Sequence, residues 1–333
     1  MRLKIGLVVD EQNFQMNTEE SRSADEQKKV TAEKIYEVLS KKYEVVSIVA
    51  DIKIMEKLKN SNVDIVFNLS TGIRGESRQS QIPAILEMLR IPYVGSGVLA
   101  HAIALDKSVA KQIFKYHNVT TANFQIFRNE DEKLDPELEF PLIVKPACEG
   151  SGFGIDEDSV VYNEEALSKK VSQLLKQYQP PVLVEEFIEG REFTVGIIGN
   201  GENKTILPIL EIDFKDIPEE YGKIYSFKVK NDFAHKTHFY CPAPLSTELE
   251  KKIKAEASKA FDVLGCRDLA RVDVRLKGDV PYIIEINSLP GLKPVYSDLT
   301  KMADAAGMSY DELVMQILDE AIKRVENNRK SSG

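Results

Sequence analysis

The stretch Arg271–Asn287, RVDVRLKGDVPYIIEIN, constrains this chain more than any other. Two alternating runs rich in β-branched residues flank a KGDVP segment with a glycine and a proline, which reads as a β-hairpin. With Leu276 set opposite Tyr282 across a five-residue loop, Asp273 falls opposite Glu285 and Arg271 opposite Asn287. The side-chain period of two then puts all four on one face. Like charges directly opposed on a sheet destabilise it, so a bare carboxylate pair would be a poor choice there. Two carboxylates and an amide oxygen at one spot suit a hard cation that takes oxygen ligands. Mg²⁺ is the natural choice, because it binds through one or two carboxylates and shares substrate phosphates. The alternative is an exposed face decorated with charge, and the hairpin alone does not separate the two. The run Asn287-Ser-Leu-Pro-Gly291 tips the balance, because it ends the strand in a turn whose backbone N–H groups can face a reacting oxyanion. The hairpin is therefore expected to floor a metal–phosphate site.

The rest of the chain is long enough to build such a site. Its 333 residues predict two or three domains, each with its own core. Acidic residues outnumber basic ones, 53 to 44, which argues against a nucleic-acid or anionic-membrane partner. Three widely spaced cysteines, Cys148, Cys241 and Cys266, form neither a disulfide framework nor a zinc pattern, so reduced thiols in a cytoplasmic protein are expected. The apolar run Ile5–Val9 is too short for a signal segment, and no window reaches the length of a membrane span.

Strands are predicted at 3–9, 43–49, 63–68 and 91–94, with helices between them over 23–41 and 81–90. The first of these helices is expected to open at a capping box, Ser23-x-x-Glu26. Alternating strands and helices imply a doubly wound parallel sheet over residues 1–105, with ligands at the carboxyl ends of its strands. A second unit, 106–188, opens with a helix over 107–117 and continues through strands at 124–127 and 142–145. Next comes the glycine loop Glu149-Gly-Ser-Gly-Phe-Gly154, followed by the short strand 159–162 and a helix over 164–178. Neither GK[ST] nor an immediate helix follows this loop, so it is not a phosphate loop of the strand-to-helix type. It reads instead as a connection between antiparallel strands, either a flap over phosphates or a flexible turn. A third unit, 189–333, takes in a strand at 204–213 and a polar segment at 221–238. It continues with a helix from a Thr247-x-x-Glu250 box, the hairpin, and a last helix from Ser309-x-x-Glu312 to about Asn327.

Five stretches together resemble one family. IPYVGSGVLAHAIALDK (91–107), IVKPACEGSGFG (143–154), VLVEEFIEGREFTV (182–195), LGCRDLARVDVRL (264–276) and IIEINSLPG (283–291) run in the order and spacing of the D-alanine–D-alanine ligases of the ATP-grasp superfamily. The resemblance spans all three units and implies an α/β, three-domain ATP-grasp fold. It also implies an ATP-dependent carboxylate–amine ligase of peptidoglycan type that forms a dipeptide through an acyl phosphate. It implies ATP and two Mg²⁺ ions, with Mn²⁺ an acceptable substitute, amino-acid substrates, and a chain that admits a homodimer.

The residue roles carried by the resemblance are these. Lys107 and Lys145 match lysines on the ATP phosphates, and Gly150, Ser151 and Gly152 match the flap over the β- and γ-phosphates. Glu185, Glu186 and Ile188 match the adenine-reading hinge, Glu192 the ribose ligand, and Lys230 a phosphate-contacting lysine of a mobile loop. Asp273, Glu285 and Asn287 match the metal ligands, in agreement with the hairpin register. Arg271 and Gly291 match the groups around the tetrahedral oxyanion. Glu76 matches an acid on the loop of the first domain, and Tyr296 or Ser297 the serine that grips the second substrate's carboxylate.

The departures lie on the amino-acid side. The family's Gly-Gly turn and the glutamate that holds the first substrate's amine have no clear counterpart in Val9-Asp-Glu-Gln-Asn-Phe14 or the loop beyond it. Thr71 stands where the family has a histidine, Asn231 where it has an aromatic, and Gly152 where it has a second serine. The same fold joining other amino acids or amines, an ATP-grasp kinase, and a nucleotide-binding module without turnover are the rival readings. Among the remaining polar residues, His235 and His238 read as surface histidines, Cys148 as an inert small residue, and Arg74 and Arg78 as either a carboxylate grip or a solvated loop.

Overall fold

The computed structural model describes residues 3–11, 19–149, 154–178, 181–218, 221, 224, 228–229 and 232–331. Three sheets organise them. In the first, β1 (Lys4–Asp10), β2 (Glu44–Ala50), β3 (Ile65–Asn68) and β4 (Tyr93–Val94) run parallel in the order β2-β1-β3-β4. Ile5 and Leu7 pack on one face with Ile35 and Leu39 of helix α1 (Glu19–Ser40). Val8 and Val66 pack on the other with Leu58 of α2 (Ile54–Ser61) and Ile82 and Leu86 of α3 (Gln81–Met88). Burial on both faces explains why β1 and β3 read as unbroken apolar runs. The expected doubly wound sheet is therefore present.

The second sheet is antiparallel, with β5 (Phe124–Phe127), β6 (Leu142–Pro146), β7 (Val160–Val161) and β8 (Val182–Glu186) in the order β5-β8-β6-β7. Leu167, Val171 and Leu174 of α6 (Glu164–Gln177) cover it. The glycine loop thus joins the antiparallel neighbours β6 and β7, as its sequence context predicts.

The third sheet, also antiparallel, sets β12 (His238–Tyr240), β11 (Leu210–Asp213), β9 (Arg191–Gly199), β13 (Asp268–Lys277) and β14 (Val280–Asn287) side by side, with β10 (Thr205–Ile206) on β9. Phe193 and Val195 of β9 and Val272 and Val274 of β13 bury one face against Phe114 of α5 (Lys107–Tyr116) and Phe261 of α7 (Thr247–Val263). The alternate residues Glu192, Thr194, Arg271 and Asp273 therefore point to the opposite face, which becomes the floor of a cleft. Beyond it lie α8 (Asp298–Ala305) and α9 (Tyr310–Ser331), whose Leu313, Ile317 and Ala321 share a core with the first sheet.

The hairpin departs from its predicted loop while keeping its predicted register. Lys277 pairs with Val280 across a two-residue turn, Gly278-Asp279, and Leu276 faces Pro281 rather than Tyr282. Gly278 has φ +59°, the conformation such turns require at their first position. A β-bulge between Asp273/Glu285 and Val274/Ile283 inserts one extra residue, Ile284, and so returns Asp273 to Glu285 and Arg271 to Asn287.

Other elements shift by smaller amounts. Helix α1 begins at Glu19, so Ser23 lies inside it. Ser246, not Thr247, caps α7 by accepting the Leu249 N–H, because its extended backbone leaves the hydroxyl facing the first turn. The predicted strand 204–213 is split, with Pro208, which has no N–H, standing in the gap. Ser309 and Glu312 exchange the expected reciprocal bonds at 2.8 and 3.3 Å, and the last helix continues past Asn327 to Ser331.

Candidate active site

The hairpin face holds Asp273 in a fixed orientation. Its Oδ1 accepts from Thr194 Oγ1 at 2.7 Å, and its Oδ2 accepts from Asn287 Nδ2 and Arg271 Nη2, each at 3.0 Å. Glu285, directly opposite, has its Oε2 3.3 Å from Lys107 Nζ. Arg271, Asp273, Glu285 and Lys107 line a cleft together with Lys145, Glu185, Glu186, Ile188 and Glu192, and Asn287 joins it through its bond to Asp273. The expected set of two carboxylates, one amide and two lysines therefore meets at one place.

Beneath the cleft lies a buried charge cluster. Glu185 is held through Oε1 by Lys145 at 2.5 Å and through Oε2 by Lys111 at 2.8 Å. Burial alone would push the Glu185 carboxyl up, but the two ammonium groups outweigh it and hold the carboxyl below its usual range. Burial lowers the Lys111 ammonium, against the attraction of Glu185. Lys111 Nζ also donates to Thr121 Oγ1 at 2.6 Å, and Thr121 donates to the Ile283 carbonyl on the hairpin at 2.7 Å. With its carboxylate engaged by two lysines, Glu185 fixes Lys145 at the cleft.

Toward the other end, Arg275 reaches Glu192 at 3.6 Å, lies over the Phe187 ring and donates to the Gly190 carbonyl. The cleft walls here are Ile143, Phe187, Ile188 and Ile284, a greasy slot beside the Glu192 carboxylate. Asn123 donates to Glu186 from its backbone and side chain, at 3.3 Å each.

At the opposite end Arg271 Nη1 donates to Asp298 Oδ2 at 2.6 Å. Gly291 packs closely on Ser297, since a Cβ there would lie 2.9 Å from Ser297 Oγ and displace that hydroxyl. That hydroxyl accepts the Lys293 N–H at 2.9 Å, and the Tyr296 hydroxyl accepts from Gln27 of α1 at 3.3 Å. Tyr296 therefore ties the turn after Gly291 to the carboxyl edge of the first sheet. On that edge the Asp10 carboxylate accepts from Ser70 Oγ, from the Thr71 N–H and hydroxyl, and from Lys28 Nζ at 2.7 Å.

Not every expected residue joins the cleft. Glu76 is exposed and lines a neighbouring pocket with Arg78, Cys148 and Glu149, the last of which also borders the cleft, and Arg78 pairs with Glu149 at 3.4 Å. Gly150, Ser151, Gly152, Lys230 and Asn231 lie outside the described residues. His238 pairs with Asp216 rather than with a second histidine, and burial pushes the Cys148 thiol up to about 11, in keeping with an inert cysteine.

Four contributors were missed by sequence reasoning. Thr194 and Arg275 were accessible through strand periodicity, since they share the face of Glu192 and Asp273. Lys111 lies one turn after Lys107 on α5, but a lysine in a helix ordinarily reads as a solvated face. Asp298 follows an irregular turn and carries no periodic signal.

Among the described residues no group of three or more His, Cys, Asp or Glu side chains could hold a metal. Asp273 and Glu285 supply two carboxylates, and only the Asn287 amide and substrate oxygens could complete a ligand set. That incomplete, all-oxygen set fits a magnesium ion shared with nucleotide phosphates. Also among the described residues, no helix is long and apolar enough to cross a membrane.

Comparisons with known proteins agree with this geometry. Residues 107–319 match the family model described as D-ala D-ala ligase C-terminus. A D-alanine–D-alanine ligase of Syntrophotalea carbinolica is 36% identical over 282 residues, covering 85% of this chain and 87% of that protein. An uncharacterized protein, y4sG, of Sinorhizobium fredii is 37% identical over 265 residues, covering 79% and 76%. The crystal structure of the Bacillus anthracis D-alanine–D-alanine ligase complexed with ATP superposes with a TM-score of 0.75 at 26% identity, covering 99% of this chain and all of that one. With the cleft, its charged floor and these relatives in agreement, the chain belongs to the D-alanine–D-alanine ligase family, ATP-dependent ligases of the ATP-grasp fold.

Proposed function

We propose that the protein joins two amino acids into a dipeptide, activating the first carboxylate as an acyl phosphate. The observation that carries this reading is the convergence of Asp273, Glu285, Lys107 and Lys145 on one cleft that runs from a greasy slot to Arg271. In it, Ile143, Phe187 and Ile188 receive the adenine and Glu192 the ribose. Lys107 and Lys145 offer ammonium groups to the phosphates, and Ser151 and Lys230 are assigned to close over them. Asp273, Glu285 and Asn287 are the residues to hold Mg²⁺, which when bound neutralises charge on the transferring phosphoryl group.

A carboxylate oxygen of the first amino acid attacks the γ-phosphorus, and ADP leaves. The amine of the second then attacks the acyl carbon, forming the C–N bond, and inorganic phosphate departs with the C–O electron pair. Arg271 and the Gly291 N–H face the developing oxyanion, each typically worth about 3–4 kcal/mol at such sites. Tyr296 and Ser297 border the second substrate. Glu76, exposed and outside the cleft, has the weakest claim to a substrate role.

The relatives' name, D-alanine–D-alanine ligase, points to D-alanine as the reference substrate. On the first-sheet edge, however, the Asp10 carboxylate is already engaged by Lys28, Ser70 and Thr71. We therefore assign this protein a first-substrate pocket that differs from that of a D-alanine dimeriser. The test is a screen of paired D- and L-amino acids for phosphate release with mass-spectrometric detection of the amide. Phosphate release with a phosphorylated product and no amide would make it a kinase instead.

A further inference from the structure

Arg271 is gripped from two sides by different parts of the chain. Nη2 donates to Asp273 on its own strand at 3.0 Å, and Nη1 donates to Asp298 at 2.6 Å. Asp273 also answers to Thr194 and Asn287, so its placement follows the phosphate end of the cleft. Asp298 belongs instead to the segment that carries Gly291. It is the first residue of α8, only 9% exposed, and lines the cleft.

Its mounting is rigid. A carboxylate is favoured in the first turn of a helix, and Lys301, three residues on, lies 3.3 Å from its Oδ1. The turn leading into α8 is cross-tied, with the Lys293 N–H donating to Ser297 Oγ at 2.9 Å and the Ser297 N–H to the Lys293 carbonyl at 3.0 Å. Thr300 Oγ1 adds a bond to the Ser297 carbonyl at 2.7 Å. One braced segment thus carries Gly291 and also holds the guanidinium that faces the same oxyanion.

We propose that Asp298 is a positioning residue, which registers Arg271 with the Gly291 turn for the amide-forming step. The inference rests on the reading of Arg271 given above. A misplacement of about 1 Å at a reacting centre costs roughly a hundredfold in rate, and loss of the Asp298 grip permits a shift of that order.

The experiment compares Asp298→Ala, Asp298→Asn, Arg271→Ala and the Asp298→Ala/Arg271→Ala pair in the full-length protein, with the substrates found by the amino-acid screen. Amide formation and the KM of each substrate are measured in steady state. Positional isotope exchange in ATP, with the first amino acid alone, reports acyl-phosphate formation separately. Asp298→Ala is expected to slow amide formation about a hundredfold while leaving isotope exchange and the KM for ATP unchanged. Asp298→Asn, which keeps an acceptor oxygen, should recover part of the rate. In the Arg271→Ala background, Asp298→Ala should have no further effect, because the two act as a unit.

Parallel loss of isotope exchange and amide formation would make Asp298 merely structural. A raised KM for the second amino acid at unchanged kcat would make it a substrate contact, and full additivity with Arg271→Ala would uncouple the two residues. Each of these overturns the proposal. If Arg271→Ala itself forms amide at the parent rate, the reading of Arg271 fails first. A crippled Arg271→Ala beside a normal Asp298→Ala sinks only the present inference. Should Asp298→Ala fail to fold, Asp298→Asn carries the same comparisons.

Discussion

Replacing Glu185 by glutamine keeps the shape of the buried cluster and removes the negative charge that Lys111 and Lys145 share. Lys111 is 0% exposed, Glu185 2% and Lys145 4%, so water cannot take over the role of the carboxylate. At the observed contacts of 2.5 and 2.8 Å, each attraction is about 6 kcal/mol at an effective dielectric of about 20. Most of that offsets desolvation, and removing one partner of a buried pair typically costs about 3–5 kcal/mol. Glutamine still offers one oxygen to an ammonium, so the expected loss for Glu185→Gln is about 3–5 kcal/mol rather than the sum over both contacts. The variant should also gain pH dependence. Burial already lowers the Lys111 pKa, with Lys145 adding to the effect, while Glu185 opposes it most strongly and Glu285 less. Without Glu185 the pKa falls further, so between that lowered pKa and the ordinary lysine value of 10.5 the unfolded chain binds more protons than the folded one. Stability of the variant therefore rises more steeply with pH than that of the parent. Urea denaturation followed by circular dichroism, from about pH 7 to about 9, measures both effects. A loss below about 1 kcal/mol, with no steeper pH slope, would refute the argument that Glu185 holds two charged lysines.

Three further outcomes follow from the site. Glu285→Gln keeps its shape but loses a charge facing the phosphates, and should abolish turnover while leaving the circular dichroism spectrum intact; near-normal phosphate release at ordinary Mg²⁺ would remove Glu285 from the metal set. Lys145→Ala should raise the KM for ATP strongly, since it removes a cation lining the cleft; unchanged affinity and rate would show that the 143–154 stretch has been misread. With D-alanine as sole amino acid, kcat/KM should fall below about 10⁴ M⁻¹s⁻¹, the lower range of ordinary enzymes. A value above that would mean that Glu11, Glu19 or Glu20 restores the missing amine partner.

Much of the site was legible because strand periodicity is strict. Asp273, Glu285, Arg271 and Asn287 share a face in the sequence pattern and in the structure alike. Yet the predicted loop was three residues too long, which put the register off by one beside the turn, and the bulge at Ile284 restored that one residue. A bulge leaves no mark in a run such as Tyr282-Ile-Ile-Glu285, where either isoleucine can be the extra residue. Helix α4 (Val98–Leu105) escaped prediction because VLAHAIAL has almost no polar face and its N-cap, Gly97, makes no side-chain bond. Lys111 escaped for the opposite reason. Its helix is clearly periodic, but only the fold brings Glu185 from a distant strand to meet it. Asp298 depends on a turn whose bonds among Lys293, Ser297 and Thr300 have no sequence signature.

The central claim is that a carboxylate is activated by phosphorylation before the amine attacks. It is tested by supplying the first amino acid with ¹⁸O in both carboxylate oxygens and analysing the products by mass spectrometry. The account predicts one labelled oxygen in each inorganic phosphate released and one retained in the new amide. Unlabelled phosphate accompanied by amide would contradict it.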